Sequence, residues 1–352
     1  MSKPTEIIVR SEHEYPVRFT DSWSSEVAQD VKRYEKSLFL VPKSLESTID
    51  LTDIVREKDL IFYLPDAEAQ KDISVVSKLW EIAGKMGLRR SDAIVGIGGG
   101  ATTDLAGFVA ATWLRGIDWY AVPTSLAGMV DAAIGGKTGI NSPAGKNLIG
   151  SFHSPQKVII DSSFLIGLSD RDFSAGLAEV IKTGFIGDRN ILNLLSECRN
   201  LEGARAIIDE LIFRSVTVKA KVVSADFKEG KLREILNYGH TLAHAIERRE
   251  NYQLRHGEAV AIGLCYIAEL SHLVAGLSDS ELALHRSILE RFNLPVTYQS
   301  SAFDELLGLM AGDKKSRAQG IRFVGLKRIE EPVWLESVSQ ADMRLAYERI
   351  SS

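Results

Sequence analysis

Three of the seven histidines in this 352-residue chain fall within one stretch, residues 233–258. His240 and His244 are four residues apart in a run with helical character, and this spacing projects both side chains from one helix face. Together with His256 they offer imidazole nitrogens, which are common ligands of divalent metals. Spacing alone leaves two interpretations open: a metal site completed by N or O ligands from elsewhere in the chain, or ordinary core and surface histidines.

A second candidate for chemistry is the glycine-rich segment 96–104, which follows a strand-like run and precedes a helix-like run. Glycines at such a junction let a phosphate approach the N–H groups at a helix N-terminus. The usual dinucleotide fingerprint also has an acidic residue closing the next strand, but Pro123, Thr124 and Ser125 stand there. The segment favours a diphosphate-binding turn with other ribose partners, and a turn that binds no ligand is the alternative.

A third candidate is the glycine- and lysine-rich segment 131–147. Its Gly-Gly-Lys-Thr run is similar to the end of a P-loop, but Val130 occupies the position of the leading glycine and Asp131 would repel a phosphate. These departures exclude a nucleoside triphosphatase. A loop that carries Lys137, Lys146 and an asparagine among glycines suits a small anionic ligand rich in oxygen, although each residue alone is also compatible with a solvated loop.

The elements that must position these residues follow from the hydrophobic pattern. Strand-like runs alternate with helix-like runs up to about residue 165, which predicts a mainly parallel sheet with helices on its faces. The predicted strands are 7–10, 15–19, 37–41, 60–64, 93–97, 118–122 and 158–161, with helices over 71–86 and 103–114. The predicted helices that follow are 174–187, 201–225, 231–250, 257–275 and 279–292. We therefore predict an α/β nucleotide-binding domain over residues 1–165 and a mainly helical domain over residues 166–352.

The composition narrows the class of protein. Hydrophobic residues make up 45% of the chain and charged residues 25%, as in ordinary globular proteins. The net charge of −5, with acids and bases interspersed, gives no support for a nucleic-acid or membrane-binding surface. No run of eighteen apolar residues occurs. Cys198 and Cys265 lack metal-site spacing and are expected to be reduced, so we expect a cytoplasmic, soluble protein.

Taken together, segments spread through almost the whole chain resemble the 3-dehydroquinate synthase family. The matching segments are GGGATTDLAGF (98–108), LRG (114–116), VPTSLAGMVDAAIGGKTGIN (122–141), GKNLIGSF (145–152), GLAEVIKTG (176–184), LNYGHTLAHAIE (236–247), HGEAVAIG (256–263) and DKK (313–315). The resemblance implies a Rossmann-like NAD-binding domain followed by a helical metal- and substrate-binding domain. It also implies that 3-deoxy-D-arabino-heptulosonate 7-phosphate is converted to 3-dehydroquinate and phosphate, in the shikimate pathway of aromatic amino acid biosynthesis. The implied cofactors are NAD and a divalent metal, zinc or cobalt.

The resemblance also implies particular roles at the metal. Glu179, His240 and His256 match the metal ligands, and a carboxylate with two imidazoles leaves positions open for substrate oxygens. His244 matches a residue that transfers protons near the substrate phosphate. Glu229 matches an acid/base position, although its charged neighbours leave a plain surface carboxylate as the alternative.

The substrate contacts implied by the resemblance are rich in cations, which suits a ligand with a phosphate and a carboxylate. They are Arg115, Asp131, Lys137, Asn147, Glu179, Lys182, Lys219, Arg233, Asn237, His256, and Lys314 or Lys315, with Lys137, Arg233 and Asn237 also counted as catalytic. Because residues 231–250 are predicted as one helix, Arg233 and Asn237 are expected on the same helix face as His240 and His244. Arg115 matches a residue that reaches the phosphate from a neighbouring subunit, which implies a homodimer.

The implied NAD contacts lie in the first predicted domain. They are Asp66, Glu68, Lys71, Gly99, Gly100, Asp104, Thr124, Ser125, Lys137, Lys146, Phe164 and Gly167. The chain departs from the family after the strand 37–41, where an aspartate usually holds the adenosine ribose and Pro42, Lys43 and Ser44 stand instead. Either Ser44 or backbone groups substitute for it, or the affinity for NAD is altered.

Three alternative functions remain open. A related sugar phosphate cyclase, of the amino-dehydroquinate, valiolone or inosose type, would share the fold, NAD and metal but usually change the substrate contacts. A glycerol-dehydrogenase-like oxidoreductase would release NADH, but a small neutral alcohol needs no such set of lysines. A catalytically inactive NAD-binding module would have lost metal ligands or cations, and the sequence retains both.

Overall fold

The computed structural model describes residues 5–312 and 321–352. The chain forms two compact units, Met1–Leu168 with Lys219–Lys228 and Ser169–Val218 with Glu229–Ser352. We call them the first and second unit. The predicted division placed a single boundary after residue 165 and did not include the segment 219–228 in the first unit.

The first unit is built around a seven-stranded sheet. Its strands are β1 (Glu6–Arg10), β2 (Glu14–Phe19), β3 (Ser37–Pro42), β4 (Leu60–Leu64), β5 (Ala93–Gly98), β6 (Asp118–Pro123) and β9 (Lys157–Ile160), and its main helices are α1 (Trp23–Val31), α2 (Ile73–Met86) and α3 (Gly100–Thr112). The strand order is β1-β2-β9-β6-β5-β3-β4. Only the β1–β2 pair is antiparallel among these strands. The α/β fold with a mainly parallel sheet, predicted from the alternating pattern, is confirmed.

The core of this sheet follows from its sequence. Every residue of β3 and β5 is buried, as expected for parallel strands covered on both faces. Because β6, β5 and β3 are parallel neighbours in the sheet, their ends lie side by side at its carboxyl edge. This is the edge where α/β proteins bind ligands.

The segment 131–147, predicted as a loop, contains most of a β-hairpin. The strands β7 (Lys137–Ser142) and β8 (Gly145–Phe152) pair antiparallel and form a separate two-stranded sheet. The glycines of this hairpin obscure the alternation of apolar and polar residues in its sequence. They also permit the hairpin to form, because they let its two strands approach closely. A Cβ atom at Gly139 or Gly150 would press against the backbone of the opposite strand.

The second unit is mainly helical, as predicted. Its helices are α4 (Asp170–Gly187), α5 (Arg189–Glu197), α6 (Leu201–Ala206), α7 (Ile208–Ala225, which continues into the first unit), α8 (His240–Arg249), α9 (His256–Ala275), α10 (Asp279–Arg291), α11 (Phe303–Gly312) and α12 (Gln340–Arg349). A hairpin of β10 (Phe323–Arg328) and β11 (Glu331–Leu335) accompanies them.

Helix α9 is the central helix of this unit. Among the described residues it alone is long and apolar enough to cross a membrane, but 67% of its most apolar window is buried inside the fold. It packs against α4, α8, α10, α12 and β10, so its apolar character is explained by its place in the core.

The prediction of a single helix over residues 231–250 is wrong. A short 3-10 helix, Leu232–Asn237, is followed by a break at Gly239, and α8 begins only at His240. Gly239 has φ +79°, a left-handed conformation that favours glycine and ends regular helical geometry. Arg233 and Asn237 therefore do not lie on the helix face that carries His240 and His244.

Candidate metal centre and nucleotide edge

Three side chains from three helices of the second unit form a compact cluster, which we call the metal cluster. Glu179 comes from the middle of α4, while His240 and His256 are the first residues of α8 and α9. The Nε2 atoms of His240 and His256 lie 3.4 and 3.2 Å from Oε1 of Glu179. The ligand atoms of all three residues lie within 4.8 Å of one another.

The chemistry of this donor set fits a divalent cation. One carboxylate oxygen and two imidazole nitrogens converge on one point, as in three-ligand sites that keep a position open for substrate or water. Glu179 and His240 are buried, whereas the side chain of His256 is 39% exposed. The cluster is thus accessible from one side.

The second ring nitrogen of each histidine is also engaged. Nδ1 of His240 lies 3.1 Å from the carbonyl oxygen of Tyr238, to which it donates. Nδ1 of His256 lies 3.2 Å from Oε2 of Glu247. Glu247 was not among the sequence-predicted residues. The sequence feature that could have identified Glu247 is its position two helical turns after His240 on the same helix.

The charged groups around the cluster shift one another's pKa. Burial alone would raise the pKa of Glu179, but the charges of Lys182 and His240 hold this pKa well below its usual range. Burial opposes protonation of His256, yet hydrogen bonds to Glu179 and Glu247 raise its pKa to about 10. Lys182, itself buried, pairs with the second oxygen of Glu179. The carboxylates of Glu179 and Glu247 therefore favour a positive charge at this position, whether a proton on His256 or a bound cation.

Two glycines let the ligand-bearing helices come together. A Cβ atom at Gly257 would overlap the carbonyl group of Ala175 in α4, and one at Gly263 would overlap that of Gly239, just before α8. Helix α9 thus lies backbone against backbone with both neighbours. This close approach places the starts of α8 and α9 beside the middle of α4.

His244 lies next to the metal cluster but outside it. Its ring centre is 5.4 Å from that of His240 and 6.4 Å from that of His256. It is exposed and does not belong to the group of ligand atoms that converge. The pairing of His240 with His244 as ligands, which spacing alone suggests, is therefore not the arrangement in the structure.

Other predicted residues of the second unit lie on the 3-10 helix before α8. Arg233 is buried, and the side-chain amide of Asn237 donates to Oε1 of Glu229 at 3.1 Å. Glu229 is half-buried with φ +58°. Lys314 and Lys315 lie outside the described residues.

In the first unit, the glycine-rich segment forms the turn between β5 and α3. Gly99 is the N-cap of α3, and a Cβ atom at Gly100 would press against Ala132. The neighbouring end of β6 is tied to this turn because the Thr124 N–H donates to the carbonyl of Gly98 at 2.9 Å. The Ser125 hydroxyl accepts from the Gly128 N–H at 3.2 Å. A strand, a glycine turn and a helix N-terminus therefore meet as expected for a phosphate site.

The end of β3, where the family's usual aspartate is missing, has a carboxylate nearby. Oδ1 of Asp66, which follows the adjacent strand β4, accepts from the Ser44 N–H at 2.9 Å. This hydrogen bond and that of the Ser44 side chain lower the pKa of Asp66. An acidic group is thus present at this edge, supplied by the neighbouring strand.

Four predicted residues form a second charged group near the hairpin. Lys71 is buried, lies 2.6 Å from Oδ2 of Asp104, and also bonds to the side-chain oxygen of Asn147. Glu68 is 3.9 Å from the same ammonium group. Burial raises the pKa of Asp104, against the opposing charge of Lys71. The structure brings together residues that were assigned separately to NAD and to substrate.

The remaining predicted residues of this unit are more dispersed. Lys219 donates to both the carboxylate and the carbonyl of Asp131. Phe164 packs against Trp23, with ring centres 5.2 Å apart. The others are Lys137, Arg115 and Gly167, which are exposed, and Lys146, which is half-buried.

Comparison with known proteins identifies the family. The sequence model of the 3-dehydroquinate synthase N-terminal domain matches residues 61–175, and that of the C-terminal domain matches residues 176–316. The chain is 46% identical over 357 residues to 3-dehydroquinate synthase of Mycolicibacterium vanbaalenii, covering 100% of this chain and 99% of that protein.

Solved structures share the fold at lower identity. A 2-deoxy-scyllo-inosose synthase, complexed with carbaglucose-6-phosphate, NAD+ and Co2+, has a TM-score of 0.87 at 22% identity and covers 98% of this chain and 99% of that one. A 2-epi-5-epi-valiolone synthase from Streptomyces hygroscopicus, with NAD+ and Zn2+ bound, has a TM-score of 0.86 at 24% identity and covers 98% of both chains. With two family models spanning most of its length and relatives of this similarity, the chain belongs to the 3-dehydroquinate synthase family.

Proposed function

We propose that this protein converts 3-deoxy-D-arabino-heptulosonate 7-phosphate to 3-dehydroquinate and phosphate, with NAD and a divalent metal as cofactors. Full-length similarity to 3-dehydroquinate synthases supports this reaction. The observation that carries it is the metal cluster of Glu179, His240 and His256, with buried Lys182 and Arg233 in the same unit. Cations of this kind suit a substrate that carries a phosphate and a carboxylate.

The metal cluster is proposed to hold zinc or cobalt, which when bound would act as a Lewis acid toward substrate oxygens. Glu179 supplies the carboxylate ligand, and Lys182 holds its second oxygen in place. His240 and His256 present their Nε2 atoms, because their Nδ1 atoms are engaged by Tyr238 and Glu247. These contacts fix the ligand geometry before any cation arrives.

Proton transfer is assigned to His244. Its exposed imidazole lies beside the two ligand histidines, where it could exchange a proton with substrate and then with water. Glu229 is the second acid/base candidate, and its hydrogen bond from Asn237 orients that carboxylate. We assign Arg233, Asn237 and Lys182 to substrate binding, together with Lys314 or Lys315.

The first unit is proposed to bind NAD, which would accept a hydride and return it within one turnover. The turn around Gly99 and Gly100 would hold the diphosphate at the N-terminus of α3. Asp66 is proposed to replace the usual ribose-binding aspartate, because it lies at the end of β3 through its bond with Ser44. Glu68, Lys71, Asp104, Thr124, Ser125, Lys137, Lys146, Phe164 and Gly167 complete the proposed NAD contacts.

Substrate contacts are also proposed in the first unit. Lys219 holds Asp131 by two hydrogen bonds, so the two residues would act together. Lys137, exposed on β7, is proposed to contact an anionic group of the substrate, and Asn147 is held by Lys71.

The protein is further proposed to be a cytoplasmic homodimer in which Arg115 reaches the partner's substrate. Arg115 is exposed and has φ +68°, a backbone conformation that costs energy for a residue other than glycine. Leu148 and Ile149 are successive residues of strand β8 and therefore lie on opposite faces of the hairpin, where they are 59% and 42% exposed; a second copy could cover either face. Both cysteines are free and buried, which suits a reducing compartment.

The first prediction tests the reaction itself. Purified protein is incubated with the heptulosonate phosphate, zinc and NAD far below the substrate concentration, and released phosphate is measured. We expect phosphate in large excess over NAD without accumulation of NADH, because the reduced cofactor is oxidised again in each turnover. Glu179→Gln should abolish release while NAD binding is retained.

Parallel assays address the alternatives. Faster turnover with sedoheptulose 7-phosphate, glucose 6-phosphate or the aminated heptulosonate phosphate would reassign the protein to another sugar phosphate cyclase. Stoichiometric NADH without phosphate would indicate a dehydrogenase instead. Activity that survives complete removal of divalent metal would contradict the role of the metal cluster.

A further inference from the structure

Glu247 is a buried carboxylate that lies directly behind one of the three residues of the metal cluster. It is only 4% exposed and lies in α8, about two helical turns after His240. Its Oε2 atom is 3.2 Å from Nδ1 of His256. Because Nε2 of the same ring is 3.2 Å from Oε1 of Glu179, the imidazole is held between two carboxylates.

The other ligand histidine has a corresponding contact from the backbone. Nδ1 of His240 donates to the carbonyl oxygen of Tyr238 at 3.1 Å, and its Nε2 faces Oε1 of Glu179 at 3.4 Å. In both rings the nitrogen remote from Glu179 therefore has an acceptor. An acceptor at Nδ1 keeps the proton there and leaves the Nε2 lone pair for a cation.

The charge of Glu247 matters as well as its geometry. A divalent cation in the metal cluster would stand beside the ammonium group of Lys182, which already pairs with Glu179. Glu179 alone cannot balance both positive groups, and unbalanced charge in a buried site is costly. Glu247 adds a second buried carboxylate within one imidazole ring of the cation position.

We propose that Glu247 is a positioning residue of the metal centre. It orients His256 through Nδ1, holds the tautomer whose Nε2 faces the cation, and supplies negative charge that strengthens cation binding. This inference rests on the proposed function only in requiring that a divalent cation occupies the metal cluster. It does not depend on which sugar phosphate is the substrate.

The affinity of the metal-free protein for zinc, measured by competition with a chromophoric chelator, tests this inference. Glu247→Gln keeps a side chain of nearly the same shape that is able to accept from Nδ1, but removes the charge. Glu247→Ala removes both. Loss of a residue that hydrogen-bonds to a metal ligand typically weakens metal binding about 10- to 100-fold. We expect the glutamine variant at the lower end of this range and the alanine variant at the upper end.

Glu250→Gln is the matched control. Glu250 follows the same helix, but its carboxylate bonds to Tyr298 and pairs with Arg249. Its replacement should leave zinc affinity unchanged. Equal losses in the control and in Glu247→Gln, or wild-type affinity in both Glu247 variants, would overturn the proposal. Circular dichroism and NAD binding report whether each variant is folded.

A second measurement needs no variant. Nitrogen-15 NMR of the zinc-loaded wild-type protein, labelled at histidine, should find the proton of His256 on Nδ1. A proton on Nε2 would contradict the proposal even if the variants failed to fold. Phosphate release is measured separately at saturating zinc. Absence of turnover with the expected zinc affinities would therefore refute only the proposed reaction.

Discussion

His256 and His285 show how strongly the surroundings of a histidine decide its charge. His256 lies between Glu179 and Glu247, whose hydrogen bonds overcome the effect of burial and raise its pKa to about 10. His285 is fully buried and stacks on Phe185 with ring centres 3.5 Å apart. Its ring nitrogens contact neutral groups, the Tyr238 hydroxyl at 2.9 Å and the carbonyl oxygen of Glu281 at 2.7 Å. Burial lowers its pKa to about 4, although the carbonyl and the charge of Glu281 act in the opposite direction.

His285 should therefore make the stability of the protein depend on pH. Its pKa is lower in the folded state than the ordinary value of 6.5, so the unfolded chain binds the extra proton first. The contribution of neutral His285 to the free energy of unfolding is complete above about pH 6.5 and is lost as the pH falls toward 4. A shift of this size corresponds to roughly 3 kcal/mol in the free energy of unfolding.

Denaturant unfolding of His285→Gln at several pH values measures this effect. We expect the variant to be less stable at pH 7, because it loses the stacking on Phe185. Its free energy of unfolding should also fall less steeply than that of the wild type between pH 6.5 and 4. His272→Gln, at a partly exposed histidine of α9, is the control. A wild-type slope in His285→Gln would show that His285 does not carry this pH dependence.

At the scale of residues, the sequence predicted part of the site. The two imidazoles and the carboxylate were assigned from motifs in three separate segments, and the structure brings them together. Helical spacing alone favoured His240 with His244 instead, because spacing reports which side chains share a face and not which helix lies opposite. Glu247 was missed for the same reason, since its partner His256 lies on another helix.

At the scale of elements, the close contact between α8 and α9 depends on glycine. The carbonyl of Gly239 occupies the space that a side chain at Gly263 would need. Gly263→Ala should therefore push the start of α8 away from α9 and displace His240. Such overpacking costs about 1–3 kcal/mol, and we expect zinc affinity to fall with stability.

Gly308→Ala is the matched control for this substitution. Gly308 lies in α11, where an added Cβ atom would meet nothing within 4 Å. Alanine is favoured over glycine in helices, so stability should be unchanged or increase by about 0.4–1 kcal/mol. Chemical denaturation and chelator competition measure both variants. Unchanged zinc affinity in Gly263→Ala would contradict the role of this contact.

Most elements could be predicted because their hydrophobic pattern is local. The strand over residues 60–64 and the helix over 257–275 agree with β4 and α9 to within one residue. The hairpin of β7 and β8 was missed because its glycines interrupt the alternation of side chains. The helix prediction over 231–250 was wrong because the pattern of apolar residues does not report the left-handed backbone of Gly239, whose carbonyl lies against Gly263 of α9.

At the scale of the whole molecule, the homodimer is a prediction that mixing of two inactive variants tests. Arg115→Ala should lose substrate binding, and Glu179→Gln should lose the metal ligand. If Arg115 acts on the partner's substrate, a mixed dimer contains one site with both residues intact. Random exchange of subunits should then restore about a quarter of wild-type activity.

The two inactive variants are unfolded together, refolded together, and assayed for phosphate release, with each refolded alone as the control. If Arg115 instead serves its own subunit, every mixed site lacks one residue and no activity returns. Light scattering of the wild type reports the mass, and a monomer would contradict the dimer directly.

The course of the chain also sets an order of events during synthesis. The first unit contains Lys219–Lys228, which contribute Lys219 to Asp131, the Ser224 hydroxyl to the Arg10 N–H, and Phe227 to Phe152. Domains generally fold as they emerge from the ribosome, N-terminal first. Here the N-terminal unit stays incomplete until the chain has been translated through residue 228. A chain that stalled after Leu168 would contain all seven strands of the sheet but lack residues 219–228, which complete the first unit.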